Sequence, residues 1–213
     1  MSAVSRWCSP AFDIFDIERS NDDDAMKRAA AITFFSMSAF ASTVHAVECA
    51  DFWDWVNAGC RRIVDTYDNG NNELLVSGYS WHLPWSWTSD RRREENENAW
   101  GAGWARTAGR PNGDADSVFL LVFKDSHGQA QFNLGYAWTT YWGEREKLQA
   151  GLGYTAMIIQ RPDIAGGWPV PVLLPLFTLR SQKVEVLSTF IPTLNGGVNH
   201  GSVLYVFGKI SIE

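Results

Sequence analysis

The chain has 213 residues and a formal net charge of −6, with hydrophobic and charged fractions of 46% and 20%. This composition excludes a disordered protein, and the acidic balance argues against a nucleic-acid partner. Beyond the N-terminal region no apolar stretch is long enough for a membrane-spanning helix, but a β-barrel membrane protein stays open because its strands are short and only half apolar.

The N-terminal region predicts an exported protein. Residues 26–46 carry the basic pair Lys27 and Arg28 directly after Met26, continue with an apolar run of secretory length, and end in a small-residue cleavage site at Ala46. We therefore predict a signal peptide over 26–46, with a buried core helix as the alternative. We interpret residues 1–25 as a misassigned start or an extension upstream of that signal.

Residues 47–73 predict an N-terminal amphipathic helix and a linker. The spacing of apolar residues favours a helix over 51–67, and its aromatic side chains suit either a membrane surface or packing against its own domain. Cys49 and Cys60 would lie about 16 Å apart on one helix. A disulfide does not span that distance, so we expect two unpaired thiols.

The remainder, residues 74–213, predicts an all-β fold. Along one segment, the side chains of residues 132, 134, 136 and 138 share one face, and the small residues Asn133, Gly135 and Ala137 share the other. Larger loops, including the charged segment 88–98, alternate with short turns. The pattern predicts an eight-stranded antiparallel transmembrane β-barrel, with a soluble lipocalin-type barrel as the alternative. The eight predicted strands are 74–87, 99–108, 117–124, 130–142, 148–160, 170–180, 184–192 and 202–212.

Aromatic residues near the strand ends suit the two interfacial girdles of a membrane barrel. They are Trp81, Trp85, Trp87, Trp100, Trp104, Trp138, Tyr141, Trp142 and Trp168. A barrel of eight strands is too narrow for a water channel, and side chains or one small ligand fill its interior. The small inward residues Asn133, Gly135 and Ala137 would leave a slot that suits an acyl chain.

Three polar residues fall at the loop end of the predicted barrel. His82 lies toward the loop end of strand one, and Asp125 and Ser126 follow strand three, so an up-and-down barrel brings them to one mouth. Acting on an ester, His82 would serve as general base, Asp125 as its orienter, and Ser126 as nucleophile or oxyanion donor. A rim histidine and a common Asp-Ser turn pair are the structural alternative. We expect no metal and no cofactor, because the chain has neither a spaced cluster of ligand residues nor a phosphate loop.

The chain resembles the PagP family of lipid A palmitoyltransferases over about residues 51–212. The resemblance implies transfer of a palmitoyl chain from the sn-1 position of a glycerophospholipid to lipid A, with His82, Asp125 and Ser126 as the essential residues. It also implies a location among the lipids of the Gram-negative outer membrane, and we expect a monomer. The matching segments are YSWH at 79–82, FKDS at 123–126, LGYAW at 134–138, GLGYTA at 151–156, PVPVLLPL at 169–176 and FIP at 190–192.

The resemblance further implies that the donor enters sideways from lipid, where proline interrupts the strand ladder. Pro175 and Pro192 match the prolines of one lateral gate. The family carries the prolines of a second gate where this chain has Ser77 and Ala99, and this departure puts the second gate in doubt.

We expect four residues to line the acyl slot: Leu121, Phe123, Gly135 and Ala137. Because Ala137 matches a pocket-floor position that is usually glycine, we expect a chain slightly shorter than palmitate, unless neighbouring residues compensate. Arg161 matches a family arginine that we assign to loop electrostatics. The rival hypotheses are a structural or adhesive outer-membrane barrel without catalysis and a soluble lipid-binding barrel.

Overall fold

The computed structural model describes Cys49 and residues 53–144, 147–193 and 200–212. The predicted signal peptide and the segment before it lie outside the described residues. The helices are α1 (Asp54–Asn69) and α2 (Ser89–Glu94), and a 3₁₀ turn covers Ala165–Gly167. The strands are β1 (Asn71–His82), β2 (Gly101–Gly109), β3 (Ala115–Lys124), β4 (Ala130–Gly143), β5 (Leu148–Gln160), β6 (Val170–Ser181), β7 (Val184–Ile191) and β8 (Val203–Ser211).

The strands form one closed barrel. Each strand pairs antiparallel with the next in chain order, and β8 pairs with β1 to complete the ring. The eight-stranded antiparallel barrel and its preceding helix are thereby confirmed. Each predicted strand exists, with ends that differ by a few residues, and the charged segment 88–98 contains the short helix α2 rather than an irregular loop.

The barrel wall is apolar outside and mixed inside. On β4, Phe132 and Leu134 are exposed, while Asn133 and Ala137 are buried in the interior, as the period-two pattern predicts. Other large apolar side chains on the outer wall include Leu120, Leu152, Ile158, Leu173, Phe177, Leu179, Val184 and Val186. A barrel surrounded by water would carry polar residues at such positions, so this surface disfavours the soluble lipocalin-type alternative.

Most aromatic residues that we assigned to the interfacial girdles point outward, with two exceptions. Trp85, Trp100 and Trp168 are each more than 70% exposed near the mouth of the barrel. Trp87 and Tyr141 instead face inward, where they line interior cavities. The polar group of each inward ring is hydrogen-bonded. Trp87 Nε1 donates to the Ser202 carbonyl at 3.0 Å, and the Tyr141 hydroxyl donates to Glu185 at 2.7 Å.

Helix α1 attaches to the other end of the barrel through its polar side. Asp116, fully buried on β3, accepts a hydrogen bond from Arg62 Nε at 2.8 Å and another from Arg110 Nε. Arg110 also pairs with Asp65 at 2.6 Å. The aromatic residues at the start of α1 stay outside, with Trp55 71% exposed. The helix therefore packs against the barrel and still presents aromatic side chains outward. In the described part of the chain, neither helix has the length and apolar character needed to cross a membrane.

The prediction of two unpaired thiols is wrong. Cys49 and Cys60 form a disulfide, and their Cα atoms lie 5.8 Å apart. The prediction assumed that both residues lie on one helix, but α1 begins only at Asp54. Cys49 therefore lies outside the helix, and the helical separation does not apply. A disulfide is typical of an exported protein.

Candidate active site

The three predicted catalytic residues line one cavity at the mouth of the barrel. His82 is the last residue of β1, and Asp125 and Ser126 lie in the turn that follows β3. The cavity has a volume of about 200 Å³. Adjacent residues on a straight strand point to opposite faces, but β3 ends at Lys124, and the turn lets both Asp125 and Ser126 reach this cavity.

The His82 ring is held in a buried environment. It is 2% exposed, and Trp87 packs against it edge-on at 4.7 Å between ring centroids. Among the described residues its buried Nδ1 atom has no hydrogen-bond partner, and Glu97 Oε1 lies 3.5 Å from it. An imidazole held in this way has little rotational freedom.

Asp125 has a different set of partners. Its Oδ1 accepts hydrogen bonds from the backbone N–H groups of His127 at 3.0 Å and Gln129 at 2.7 Å. Its Oδ2 lies 3.4 Å from Arg161 Nε and has no hydrogen bond. The carboxylate is 3% exposed. Arg161, which we assigned from the sequence to loop electrostatics, is therefore the main charge neighbour of Asp125.

Three ligand-type side chains meet beside Asp125. Asp125, His127 and Asp163 each place one donor atom within 4.8 Å of the other two. The Arg161 guanidinium lies between the carboxylates, since its Nε is 2.6 Å from Asp163 and 3.4 Å from Asp125. Because this cation already pairs with both carboxylates and offsets one of their two negative charges, the cluster does not favour a metal ion.

Glu97 is a site residue that the sequence analysis missed. Its Oε1 accepts the His82 backbone N–H at 3.1 Å, and its Oε2 accepts the Tyr79 hydroxyl. Burial alone would raise the pKa of Glu97, but these hydrogen bonds and the neighbouring His82 outweigh burial and lower it. Glu97 lies in the charged segment 88–98, where nothing in the local pattern separates one acidic residue from the others.

A second, deeper cavity continues the first toward the middle of the barrel. Its volume is about 50 Å³, and Asn133, Met157, Thr189 and Tyr205 line both cavities. Of the predicted slot residues, Phe123 lines the upper cavity and Leu121 and Ala137 line the lower one. Gly135 lines neither. A side chain there would meet Phe119 Cζ at 2.8 Å, so Gly135 makes room for that ring.

A buried ion cluster closes the lower cavity. Lys209, on the floor of the cavity, lies 2.9 Å from a Glu185 oxygen and 3.0 Å from a Glu73 oxygen. Tyr141 lines the same floor. The interior is thus apolar next to Ala137 and charged beneath it, an arrangement that can hold a hydrocarbon chain of limited length.

Comparison with known proteins agrees with this geometry. Residues 62–209 match the family described as antimicrobial peptide resistance and lipid A acylation protein PagP. The chain belongs to the PagP family. A relative from Methylobacillus flagellatus named lipid A acyltransferase PagP is 32% identical over 162 residues, covering 76% of this chain and 86% of that protein. Relatives with the same name from Bordetella parapertussis and Legionella pneumophila are 32% and 30% identical, covering 84% and 85% of this chain and 95% of each relative.

The strand ladder has a gap where the PagP resemblance predicts a lateral gate. The pairing of β6 with β7 begins at Leu176 opposite Thr189, so residues 170–175 pair with β5 but have no β7 partner. Pro175 ends the gap, where its carbonyl accepts a hydrogen bond from Thr189 Oγ1 at 2.8 Å, and Pro192 directly follows β7. Proline donates no backbone hydrogen bond, which suits both positions to the end of a ladder.

Hydrogen bonds close the position where the PagP resemblance implies a second gate, between the end of β1 and the segment before β2. The regular β1–β2 pairing ends at Val76 opposite Ala102. Beyond it, the Ala99 backbone N–H donates to the Gly78 carbonyl at 3.1 Å, and the Ser77 hydroxyl donates to the Ala99 carbonyl. A proline at residue 99 would remove the first of these bonds. The residues that replace the family prolines thus extend the contact between β1 and the segment before β2.

Proposed function

We propose that this protein is an outer-membrane lipid A acyltransferase that moves a palmitoyl or slightly shorter chain from the sn-1 position of a glycerophospholipid to lipid A. The main support is the position of His82, Asp125 and Ser126 at the mouth of a cavity that continues into an apolar slot. Family membership and the names of the relatives support the same reaction class.

The proposed location follows from the outer surface. Large apolar side chains cover the outside of the strands, and exposed tryptophans lie near the mouth. Such a wall is stable in hydrocarbon, and tryptophan favours the membrane–water interface. We therefore propose that the barrel lies in the outer membrane, with the donor phospholipid, lipid A and the bulk lipids around it. We also propose that it acts as a monomer.

The donor chain reaches the slot through the gap between β6 and β7. Residues 170–175 lack partners from β7, so a lipid tail passes there without breaking backbone hydrogen bonds. Val172 and Leu174 on β6, with Ile191 on β7, line the upper cavity directly inside the gap. An apolar passage is needed because the tails of the donor stay in hydrocarbon throughout.

The chemistry needs one proton to be moved and returned. In a direct transfer, His82 takes the proton of a lipid A hydroxyl while that oxygen bonds to the ester carbonyl carbon. The bond from this carbon to the glycerol oxygen then breaks, and the glycerol oxygen takes the proton from His82. Ser126 donates its hydroxyl hydrogen to the developing oxyanion.

A covalent route uses the same residues. Ser126 then attacks the ester carbonyl carbon first while His82 takes the serine proton, and the bond from this carbon to the glycerol oxygen breaks as that oxygen takes the proton from His82 and the lysophospholipid leaves. In the second step His82 takes the proton of a lipid A hydroxyl, whose oxygen bonds to the acyl carbon, and the bond to Ser126 breaks as the serine oxygen takes that proton back. Mass spectrometry of rapidly quenched protein separates the two routes, because only the second adds the mass of an acyl chain to the peptide that contains Ser126.

The decisive experiment compares lipid A from a strain that lacks the gene with lipid A from the same strain carrying the wild type or His82→Ala. We expect one additional acyl chain with the wild type and none with the variant. Heat-dependent migration on gels verifies that the variant barrel is folded. Unchanged lipid A with the wild type would instead support the alternative, a structural or adhesive barrel without catalysis.

A further inference from the structure

We propose that Glu97 is the carboxylate that positions and charges the His82 imidazole for proton transfer. This inference rests on the proposed function, since it concerns the same acyl transfer. Both residues belong to the mouth of the barrel, but Glu97 comes from the segment between α2 and β2, fifteen residues after the end of β1.

The geometry of Glu97 is fixed by β1. Its backbone carbonyl accepts the Ser80 N–H at 2.8 Å, and its Oε1 accepts the His82 N–H at 3.1 Å. The Tyr79 hydroxyl donates to the other oxygen, Oε2. The carboxylate is therefore anchored to the same strand end that carries the imidazole. Its Oε1 lies 3.5 Å from His82 Nδ1, a distance that shortens readily when substrate closes a site.

Asp125 is less suited to this role. Among the described residues, Glu97 provides the carboxylate that lies within 4.0 Å of a ring nitrogen of His82. Asp125 is engaged by two backbone N–H groups, and its remaining oxygen faces Arg161 at 3.4 Å. The guanidinium offsets the negative charge that an imidazolium would need. Asp125 is better placed to shape the turn that presents Ser126.

The surroundings of the ring decide which nitrogen does the chemistry. Trp87 packs edge-on against the imidazole and is itself held by its bond to the Ser202 carbonyl. With Nδ1 buried and facing Glu97, the proton of the neutral ring belongs on Nδ1, and Nε2 is left to accept the proton of the attacking hydroxyl. Glu97 then stabilises the imidazolium that forms, as the carboxylate of a serine-hydrolase triad does. The other titratable residues that line this cavity are Glu95, Asp125, His127, Arg161, Asp163, His200 and Tyr205.

The test uses full-length Glu97→Gln, Glu97→Asp and Tyr79→Phe in detergent, with phospholipid donor and purified lipid A. Gln keeps the hydrogen-bonding oxygen and removes the charge, Asp keeps the charge on a shorter side chain, and Phe removes only the bond from Tyr79. We expect Glu97→Gln to lower kcat at least tenfold with an unchanged KM for the donor. We also expect the acid limb of its pH–rate profile to move to lower pH, because protonation of the imidazole becomes less favourable without the adjacent charge.

We expect Glu97→Asp to recover most of kcat and Tyr79→Phe to lose only a few-fold. A wild-type kcat and pH profile in Glu97→Gln would overturn the inference. A loss of kcat in all three variants without any movement of the pH profile would also overturn it, because that result is what a purely structural role of Glu97 would produce. If a substituted barrel does not fold, the inference is tested on the ¹⁵N-labelled wild type, whose NMR spectrum shows which ring nitrogen of His82 carries the proton. A proton on Nε2 in the neutral ring refutes the assignment, whereas a wild type without transfer refutes the proposed function itself.

Discussion

Removing the methyl group of Ala137 is expected to lengthen the preferred acyl chain by about one methylene. Ala137 is 7% exposed, lines the lower cavity, and packs in a cluster with Leu176 and Leu187. A chain one methylene too long for the slot displaces its ester from His82 by roughly 1 Å, and a misplacement of that size costs up to about 10²-fold in rate. Ala137→Gly makes room for that methylene and should remove most of this discrimination.

The assay offers the protein an equal mixture of donors whose sn-1 chains increase by one carbon from C14 to C17. Mass spectrometry of the product lipid A gives the preferred length. Ala156→Gly is the matched control, because it deletes the same methyl group from an exposed position on β5 and has a similar backbone cost. Clean C16 transfer by the wild type that stays unchanged in Ala137→Gly would refute the reasoning and place the limit on chain length elsewhere.

Three further predictions follow from contacts elsewhere in the molecule. Hydrogen bonds from Arg110 and Asn69 lower the pKa of Asp65. The contact that the Asp65 carboxylate of α1 makes with Arg110 of the barrel is therefore fully present above pH 3.8, the ordinary pKa of Asp65, and weakens as the pH falls below that value. Amide protection factors in α1 should drop as the pH falls below 3.8, and equal protection above and below that pH would contradict this. Replacing Cys49 and Cys60 by serine should lower the free energy of unfolding by about 3 kcal/mol for a closed loop of this length. Matching urea midpoints for this variant and the wild type would count against that value. Continuing the β6–β7 register pairs Leu174 with Ile191, so Leu174→Cys with Ile191→Cys, made without the native cysteines, should stop transfer when oxidised and restore it on reduction. Transfer unaffected by oxidation would rule out the gap as the donor route.

Much of the barrel could be predicted because its signal is local. The face of each β4 residue follows from its neighbours along the strand, as Asn133 and Ala137 inside and Phe132 and Leu134 outside illustrate. Antiparallel strands joined in chain order then bring the ends of β1 and β3 to one mouth, which places His82 and Asp125 on the same cavity. The period of two and the order of the strands carry this information without any long-range contact.

The errors and omissions concern residues whose neighbours are set by tertiary contacts. The pairing of Cys49 with Cys60 is possible because Cys49 lies before α1, whereas the prediction of free thiols placed both residues on one helix. Glu97 reaches His82 only because its segment folds back onto β1, and Arg161 reaches Asp125 across the mouth from the end of β5.

The sequence by itself determined the alternation of faces, the number of strands and the identity of the residues at the mouth. Only the tertiary structure decided which carboxylate faces which base, where the ladder opens between β6 and β7, and which charges lie beneath Ala137. The physical reason is that side-chain direction along a strand depends on adjacent residues, whereas a distance of 3 to 4 Å between distant segments depends on strand register and loop conformation together.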